Sequence, residues 1–175
     1  TLTADGTLTI SGTGAMKDYS YDSPACDNSN IKKVVIEEDV TSIGDSAFSY
    51  CSSLTDITIP GSVTSIGNDA FSWCTSLTGI TIPSSVTSIG NGAFSGCSSL
   101  TDITIPSSVT SIGESGFESC TDLTNITIPK SVTSIGSNVF DGCTALTEVL
   151  LEGGSTLTSE NFGEVANKVV IRWNE

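Results

Sequence analysis

The sequence contains no histidine, and only six of its 175 residues are lysine or arginine. Without histidine there is neither a Ser-His-Asp or Cys-His catalytic arrangement nor a histidine metal ligand. The six cationic residues stand against 20 Asp and Glu residues, which gives a formal net charge of −14 at pH 7. Binding to nucleic acid or to anionic lipid requires a basic surface, so we predict no nucleic-acid partner.

Long apolar runs and catalytic motifs are also lacking. No run of 18 or more apolar residues is present, so we predict no membrane insertion. No glycine-rich phosphate loop followed by lysine occurs, and the triplet Glu37, Glu38 and Asp39 is typical of a solvated surface. We therefore predict no catalytic residue, no metal and no cofactor, and a protein that is not an enzyme. The acidic charge has three open explanations: solubility, a basic partner or calcium.

What the sequence does have is a 23-residue repeat, which is the feature that decides the fold. Isoleucine recurs at Ile43, Ile66, Ile89, Ile112 and Ile135. Phenylalanine recurs at Phe48, Phe71, Phe94, Phe117 and Phe140, and cysteine three residues later at Cys51, Cys74, Cys97, Cys120 and Cys143. A single repeat cannot bury its own apolar face, but stacked repeats cover one another, so the pattern predicts a solenoid.

Each repeat contains one predicted strand, Leu-Thr-x-Ile-Thr-Ile-Pro. In Leu77 to Pro83 the isoleucines alternate with threonine, so Ile80 and Ile82 are predicted to point inward and Thr81 outward. Proline ends the strand because it cannot donate to a ladder within it. The stretch from Asp69 to Thr75 is predicted to form at most one short helical or 3₁₀ turn. The fold class is thus an α/β repeat solenoid, mostly strand and loop.

The repeat weakens at both ends, as a capped solenoid requires. Residues 1–30, with an Asp5-Gly6 turn, are predicted to form an N-terminal β-hairpin cap. Residues 31–152 form the repeats, which begin with a degenerate strand, and residues 153–175 form a C-terminal cap with a strand at Val169 to Trp173. We expect one continuous domain. Because the chain starts at Thr1 without a visible signal peptide, we also expect a mature or trimmed fragment.

The repeated unit Leu-Thr-x-Ile-Thr-Ile-Pro-x-Ser-Val-Thr-Ser-Ile-Gly-x-x-Ala-Phe-x-x-Cys resembles the BspA-like bacterial leucine-rich repeats. The run from Asp5 to Met16 is similar to the segment that precedes such repeats. The resemblance implies a right-handed horseshoe with a parallel sheet on its concave face. It also implies an extracellular or cell-surface location and a role in adhesion or host contact, without catalysis. Departures are small: Gly116 and Val139 replace alanine, and Ala145 replaces serine.

The recurring cysteines are predicted to be buried free thiols. Stacked side chains that point the same way suit packing better than crosslinking, and thiolates in a line cannot surround zinc tetrahedrally. Cys26 lies outside the repeat, and its pairing with Cys51 stays open.

The outward positions of the strands are the candidate binding surface. Four threonines should form one stripe on the concave sheet: Thr58, Thr81, Thr104 and Thr127. Asp56, Asp102 and Asn125 should form a second stripe. Threonine also simply suits strands and solvent, so this pattern has a purely structural alternative. Tyr50 and Trp73 occupy the same position in adjacent repeats and are interpreted as an aromatic patch, or as packing beside the cap.

These features favour a non-catalytic binding or adhesion module that contacts a protein or glycan ligand, and we expect a monomer. The alternative is a structural spacer or display scaffold within a larger surface protein. Ice binding is a weaker hypothesis, because it requires a flat array of threonines, whereas leucine-rich repeats curve.

Overall fold

The structure is a computed structural model that describes residues 1–20, 23–25, 30–167 and 170–174. Over these residues the chain is a parallel-strand β-solenoid of about six turns with almost no helix, which confirms the predicted fold class. Equivalent residues of successive turns lie beside one another, so each residue type of the repeat forms a column along the solenoid.

The predicted Ile-Thr-Ile strands lie along one side of the solenoid in hydrogen-bonded groups of three, two and three strands, which together are termed here the first sheet. Its strands are β1 (Thr7–Ile10), β3 (Lys33–Ile36), β5 (Asp56–Thr58), β7 (Gly79–Thr81), β9 (Asp102–Thr104), β11 (Asn125–Ile128), β13 (Glu148–Glu152) and β14 (Val170–Asn174). All pairings among these strands are parallel, and the degenerate β3 pairs with β5, with Val34 opposite Ile57. The alternation of apolar and hydroxyl residues therefore puts one face inside and one outside.

A second sheet, which the repeat pattern did not predict, lies on another side of each turn. Its six parallel strands are β2 (Gly14–Ala15), β4 (Val40–Ile43), β6 (Ser65–Ile66), β8 (Ser88–Ile89), β10 (Ser111–Ile112) and β12 (Ser134–Ile135). Most of these strands have two residues, too few for a period-2 pattern to show in the sequence. Serine pairs with serine and isoleucine with isoleucine in consecutive turns, as in Ser65 with Ser88.

Close approach of consecutive turns depends on a glycine column beside the second sheet. A Cβ atom added to Gly90 would lie 2.6 Å from the carbonyl carbon of Gly67, and one added to Gly136 would lie 2.3 Å from the backbone nitrogen of Glu114. Real Cβ atoms do not approach backbone atoms this closely, so any other residue would force the turns apart. The glycine of the repeated Ile-Gly dipeptide thus allows the close spacing of consecutive turns as well as the bend of the chain.

The core is one continuous apolar column in which phenylalanine is the largest component. The five repeated phenylalanines are at most 1% exposed, and their rings stack in sequence with centroids 5.4–5.8 Å apart. Leucine, isoleucine and valine columns complete the interior. Burial of a large apolar side chain contributes roughly 1.5–3 kcal/mol, so each turn adds several such contributions only when its neighbours are present.

The segment around each phenylalanine is a series of turns and not the predicted helical or 3₁₀ turn. Some of its N–H groups close turns within the segment, such as Cys51 N–H to Phe48 O at 3.2 Å. The N–H groups of Ser46, Phe48 and Tyr50 instead bond to carbonyls of the next turn, at 2.7–2.8 Å. The backbone here is a third inter-turn ladder, and a helix would have used those N–H groups internally.

The two ends continue the columns in altered form. Near the N-terminus, Leu2 and Leu8 form an antiparallel bridge across the Asp5-Gly6 turn, while β1 pairs in parallel with β3. Near the C-terminus a 3₁₀ segment, Ser159–Asn167, is interrupted at Gly163. It places Phe162 against Phe140 with ring centroids 6.2 Å apart, which extends the phenylalanine stack by one ring.

Candidate functional site

The predicted threonine stripe lies on the outward face of the first sheet. Thr81 and Thr104 are opposite each other on β7 and β9, and both side chains are exposed. Thr58 lies opposite Val35 on β3, and Thr127 opposite Leu150 on β13. We term Thr58, Thr81, Thr104 and Thr127 the threonine face; all four are exposed. The structure thus supplies a regular hydroxyl surface bordered by an aliphatic side chain at each end.

The second predicted stripe runs beside the threonine face. Asp56 lies opposite Lys33, and their side chains form a salt bridge of 2.7 Å. Asp102 lies opposite Gly79, and Asn125 begins β11. Asp56, Asp102 and Asn125 are all exposed. Gly79 carries no side chain, so the stripe has a gap between its two aspartates.

Tyr50 and Trp73, termed here the aromatic pair, lie on a different surface of the solenoid. Their rings are parallel to within 2°, their centroids are 6.3 Å apart, and the residues are 51% and 47% exposed. The same position in the next turn is Gly96, where an added Cβ atom would lie 2.8 Å from the Trp73 ring. The Trp73 ring therefore lies over Gly96, and a larger residue there would displace it.

Both members of the aromatic pair have left-handed backbone conformations. Their φ angle is 60°, and the equivalent residues Gly96, Ser119 and Gly142 have φ of 71°, 58° and 71°. Glycine adopts this conformation readily, whereas a bulky residue there is strained by about 1–3 kcal/mol. Packing would be served by glycine, as in two later turns. Two half-exposed aromatic residues thus occupy a left-handed position where two later turns carry glycine.

Other hydroxyl and carboxylate columns have structural roles that the sequence pattern did not reveal. Thr64, Thr87 and Thr110 donate their hydroxyls to threonine carbonyls of the preceding turn, at 3.1–3.3 Å. Asp45 accepts the backbone N–H of Asn68, and Asn68 accepts that of Asn91, at 2.7 and 2.9 Å. These side chains act between turns. The four hydroxyls of the threonine face have no hydrogen bond of this kind among the described contacts.

The cysteine column explains why cysteine recurs once per turn. Each thiol donates to the backbone carbonyl of the residue 26 positions earlier, as from Cys97 Sγ to Phe71 O at 3.2 Å. The same bond occurs at Cys120 and Cys143, at 3.2 and 3.0 Å. A valine or alanine would pack but could not donate. The prediction of buried free thiols is confirmed for Cys97 and Cys120, while Cys143 is half-buried. Cys26, and hence its pairing with Cys51, lies outside the described residues.

Burial also determines the chemistry of these thiols. It raises the pKa of the Cys97 thiol to about 12. The side-chain hydrogen bond with Cys143, and then burial, raise the pKa of Cys120. A neutral buried thiol is a poor nucleophile and a poor metal ligand. Cys97 and Cys120 therefore serve packing and hydrogen bonding.

Charge is distributed unevenly along the chain. From residue 34 to residue 129 the sequence has no lysine or arginine, whereas it has ten carboxylates. Within the described ranges, no three or more cysteines and carboxylates are grouped so as to hold a metal ion. None of the described helices is both long and apolar enough to cross a bilayer. The central turns thus have a negative surface that includes no cationic side chain of their own.

The columns, the two sheets and the exposed outward faces define the class of protein: a repeat solenoid that presents a regular surface. Residues 20–164 match the family model described as BspA type Leucine rich repeat region, in six copies. The chain belongs to this family of BspA-type leucine-rich repeat proteins, which confirms the resemblance noted from the sequence. No curated protein sequence matches the chain.

Solved structures of bacterial leucine-rich repeat proteins share the fold. A leucine-rich repeat protein from Bacteroides ovatus superposes with a TM-score of 0.79 at 28% identity, over 97% of this chain but only 42% of that protein. The T. pallidum leucine-rich repeat protein has a TM-score of 0.69 at 27% identity, over 95% and 88%. A leucine rich cell surface protein from Faecalibacterium prausnitzii has a TM-score of 0.57 at 32% identity, over 89% and 52%.

Proposed function

We propose that this chain is a non-catalytic binding module of an extracellular or cell-surface bacterial protein, and that it contacts a host or matrix protein through its outer surface. The carrying observation is the threonine face, four exposed hydroxyls on parallel strands, of which Thr81 and Thr104 are paired in register. Solenoids commonly bind through such extended surfaces. The family supports a binding module, and the name of the Faecalibacterium protein supports surface display.

Asp56, in the stripe beside the threonine face, is paired with Lys33, and the described cysteines with a raised pKa lie inside the core. The remaining candidate is a spacer that holds another domain away from the cell. The Bacteroides protein supports this second candidate, because this chain covers only 42% of it and the rest of that protein lies outside the matched region.

The two functions differ in whether the solenoid surface has a partner. Immobilised full chain is exposed to solubilised extracellular matrix, retained proteins are identified by mass spectrometry, and the purified candidate is titrated by surface plasmon resonance. The double variant Thr81→Arg/Thr104→Arg places two bulky charges on the threonine face. We expect it to weaken binding at least tenfold, about 1.4 kcal/mol.

The matched control is Thr64→Arg/Thr87→Arg, which makes the same two changes one repeat apart on exposed residues beside the second sheet. It should bind within about twofold of the native chain, once urea denaturation shows that both variants are folded. A chain that retains no matrix protein, or whose binding both double variants leave unchanged, contradicts the proposal and favours the spacer.

A further inference from the structure

The phenylalanine column does not continue into the N-terminal cap. Its rings stack from Phe48 to Phe162, and one turn before Phe48 the equivalent residue is Ala25. The thiol bonds show this equivalence, since Cys51 Sγ donates to Ala25 O at 3.3 Å just as Cys74 Sγ donates to Phe48 O at 3.1 Å. The cap thus continues the backbone of the column with a side chain that is smaller by an entire ring.

The side chains that surround this position keep the large apolar character of the later turns. Leu8 and Ile10 of β1 lie opposite Val34 and Ile36 of β3. Ile31 stands 23 residues before the first member of the leucine column and is 2% exposed. In later turns the equivalent side chains surround a phenylalanine ring, whereas here they surround the methyl group of an alanine.

A cavity of about 270 Å³ lies at this end of the core. Ala25, Ala47 and Phe48, which line it, are buried, whereas Leu2 and Met16, which also line it, are partly exposed. The cavity therefore extends from the surface toward the last ring of the column. A concave and mostly apolar space that opens to solvent is the usual form of a small-molecule site.

The lining of the cavity selects against charged ligands. None of the described residues that line it is charged. The buried Ser23 hydroxyl donates to Ala47 O at 2.6 Å, so it is already paired, and the Tyr19 hydroxyl is the other polar side-chain group of the described lining. An ion buried here would lose its hydration without gaining a counter-charge. The ligand is therefore neutral and mostly apolar.

Size and surroundings favour an aromatic ring as the ligand. Apolar cavities of about 150 Å³ lined by leucine, isoleucine and phenylalanine bind benzene, so a volume of about 270 Å³ admits one ring or two fused rings. Rings of adjacent turns in the column are 5.4–6.2 Å apart, which is within the range at which aromatic rings attract one another. The thioether of Met16, in the lining, also contacts aromatic rings favourably.

We infer that this cavity is a binding site for a neutral aromatic molecule of one or two rings, which occupies the place that phenylalanine fills in later turns. Ala25 determines the specificity, because its small side chain leaves the space for the ligand. The described lining includes no residue of the threonine face, so the site is additional to the proposed function and does not depend on it.

The test titrates the full chain with indole, a neutral probe of two fused rings. Met16 is the only methionine of the sequence, so methionine labelled with carbon-13 at its methyl group gives one nuclear magnetic resonance signal, which reports on the cavity. We expect indole to shift this signal in a saturable manner, because the ring current of an aromatic ligand acts on a methyl group beside it. Indole-2-carboxylate adds a charge and should bind at least tenfold more weakly, as measured by calorimetry.

Two variants at residue 25 fill the cavity. Ala25→Phe introduces the side chain of the column, so it should abolish the indole-dependent shift and raise the urea midpoint of unfolding through added packing. Ala25→Leu fills part of the space and should weaken indole binding at least threefold, which keeps the test decisive if the larger ring disturbs folding. The matched control Thr104→Phe adds a ring outside the cavity and should change the affinity less than twofold.

The inference is overturned if indole leaves the Met16 signal unchanged, if both variants at residue 25 bind indole as the native chain does, or if indole-2-carboxylate binds equally well. A loss of affinity in Trp73→Gly assigns the ligand to the aromatic pair and also overturns it. The same holds for a tenfold gain in Tyr21→Ser, a change outside the described residues, because a ring of the chain itself would then occupy the cavity. Capture of a matrix protein through the threonine face is decided by its own experiment, so either proposal can fail alone.

Discussion

The solenoid has an inner and an outer aromatic column, and only the inner one has an aromatic residue in every central turn. The inner column repeats phenylalanine in all five central repeats, fully buried and stacked at nearly constant spacing. The outer column starts with Tyr50 and Trp73 and then changes to glycine or serine, with no loss of the local backbone conformation. Constancy marks a residue that the stack needs, whereas variation at a fixed conformation marks a residue that the stack only tolerates.

The largest test of this contrast is to interrupt the inner column. Phe94→Ala removes a ring that stacks on Phe71 and Phe117 with centroids 5.5 and 5.4 Å away. A cavity in the middle of the column should lower the free energy of unfolding by about 3–5 kcal/mol. Urea denaturation measures it. A loss below about 1 kcal/mol would show that neighbouring turns collapse into the gap and that the column is not a shared core.

A second test concerns the thiols that pack beside the phenylalanines. Burial raises the pKa of the Cys97 thiol to about 12 from its ordinary value of 9.0, so the folded chain keeps this proton where the unfolded chain releases it. Stability from this group is complete below pH 9 and is lost as pH rises from 9 toward 12. Between pH 8 and pH 10 the free energy of unfolding should fall by about 1 kcal/mol from this thiol.

Cys97→Val is the matched control for the pH experiment. It keeps the packing volume while it removes the ionisable group and the hydrogen bond to Phe71 O, so it should cost about 1 kcal/mol at pH 7. Its stability should decline less steeply above pH 9 than that of the native chain. Parallel pH profiles for the two proteins would show that the Cys97 thiol ionises as readily in the folded state as in the unfolded state.

The smallest expected effect is at the outer column. Trp73→Gly loses contact with Tyr50 and Gly96 but relieves a left-handed conformation that strains a bulky residue, and these terms oppose each other. The free energy of unfolding should change by less than about 1 kcal/mol. Urea denaturation measures it, with Phe94→Ala in the same experiment for comparison. A loss of several kcal/mol would mean that Trp73 is part of the core after all, and the distinction between the columns would fail.

The features of the fold that the sequence predicts are the side-chain columns, and those that it does not predict are the backbone contacts between turns. The period of 23 residues predicted the inner columns, the parallel strands of the first sheet and the shared position of Tyr50 and Trp73. These features could be predicted because each repeat buries the same residue types at the same positions. It did not predict the Ser-Ile sheet, the turns in place of a helix, or the bond from Cys97 to Phe71. These depend on which backbone groups of adjacent turns meet, and side-chain periodicity carries little information about that.

The candidate site was predicted to a similar extent. The exposed positions of the threonine face follow from alternation in a half-buried strand, so they could be read from the sequence. The left-handed backbone of Tyr50 and Trp73 could have been suspected from Gly96 and Gly142 at the same position. The contact of the Trp73 ring with Gly96 could not, because it joins residues of two different turns.

The bonds of the cysteine, threonine and asparagine columns all join a turn to the one before it, with a constant separation in sequence. Removal or duplication of one whole unit would leave every remaining partner matched. Length is therefore adjustable in this architecture, in steps of about 5 Å along its axis. The separation of two surface features on different turns therefore changes only in whole steps. Insertion or deletion of one repeat would change the spacing between two such features and leave the repeats between them unchanged.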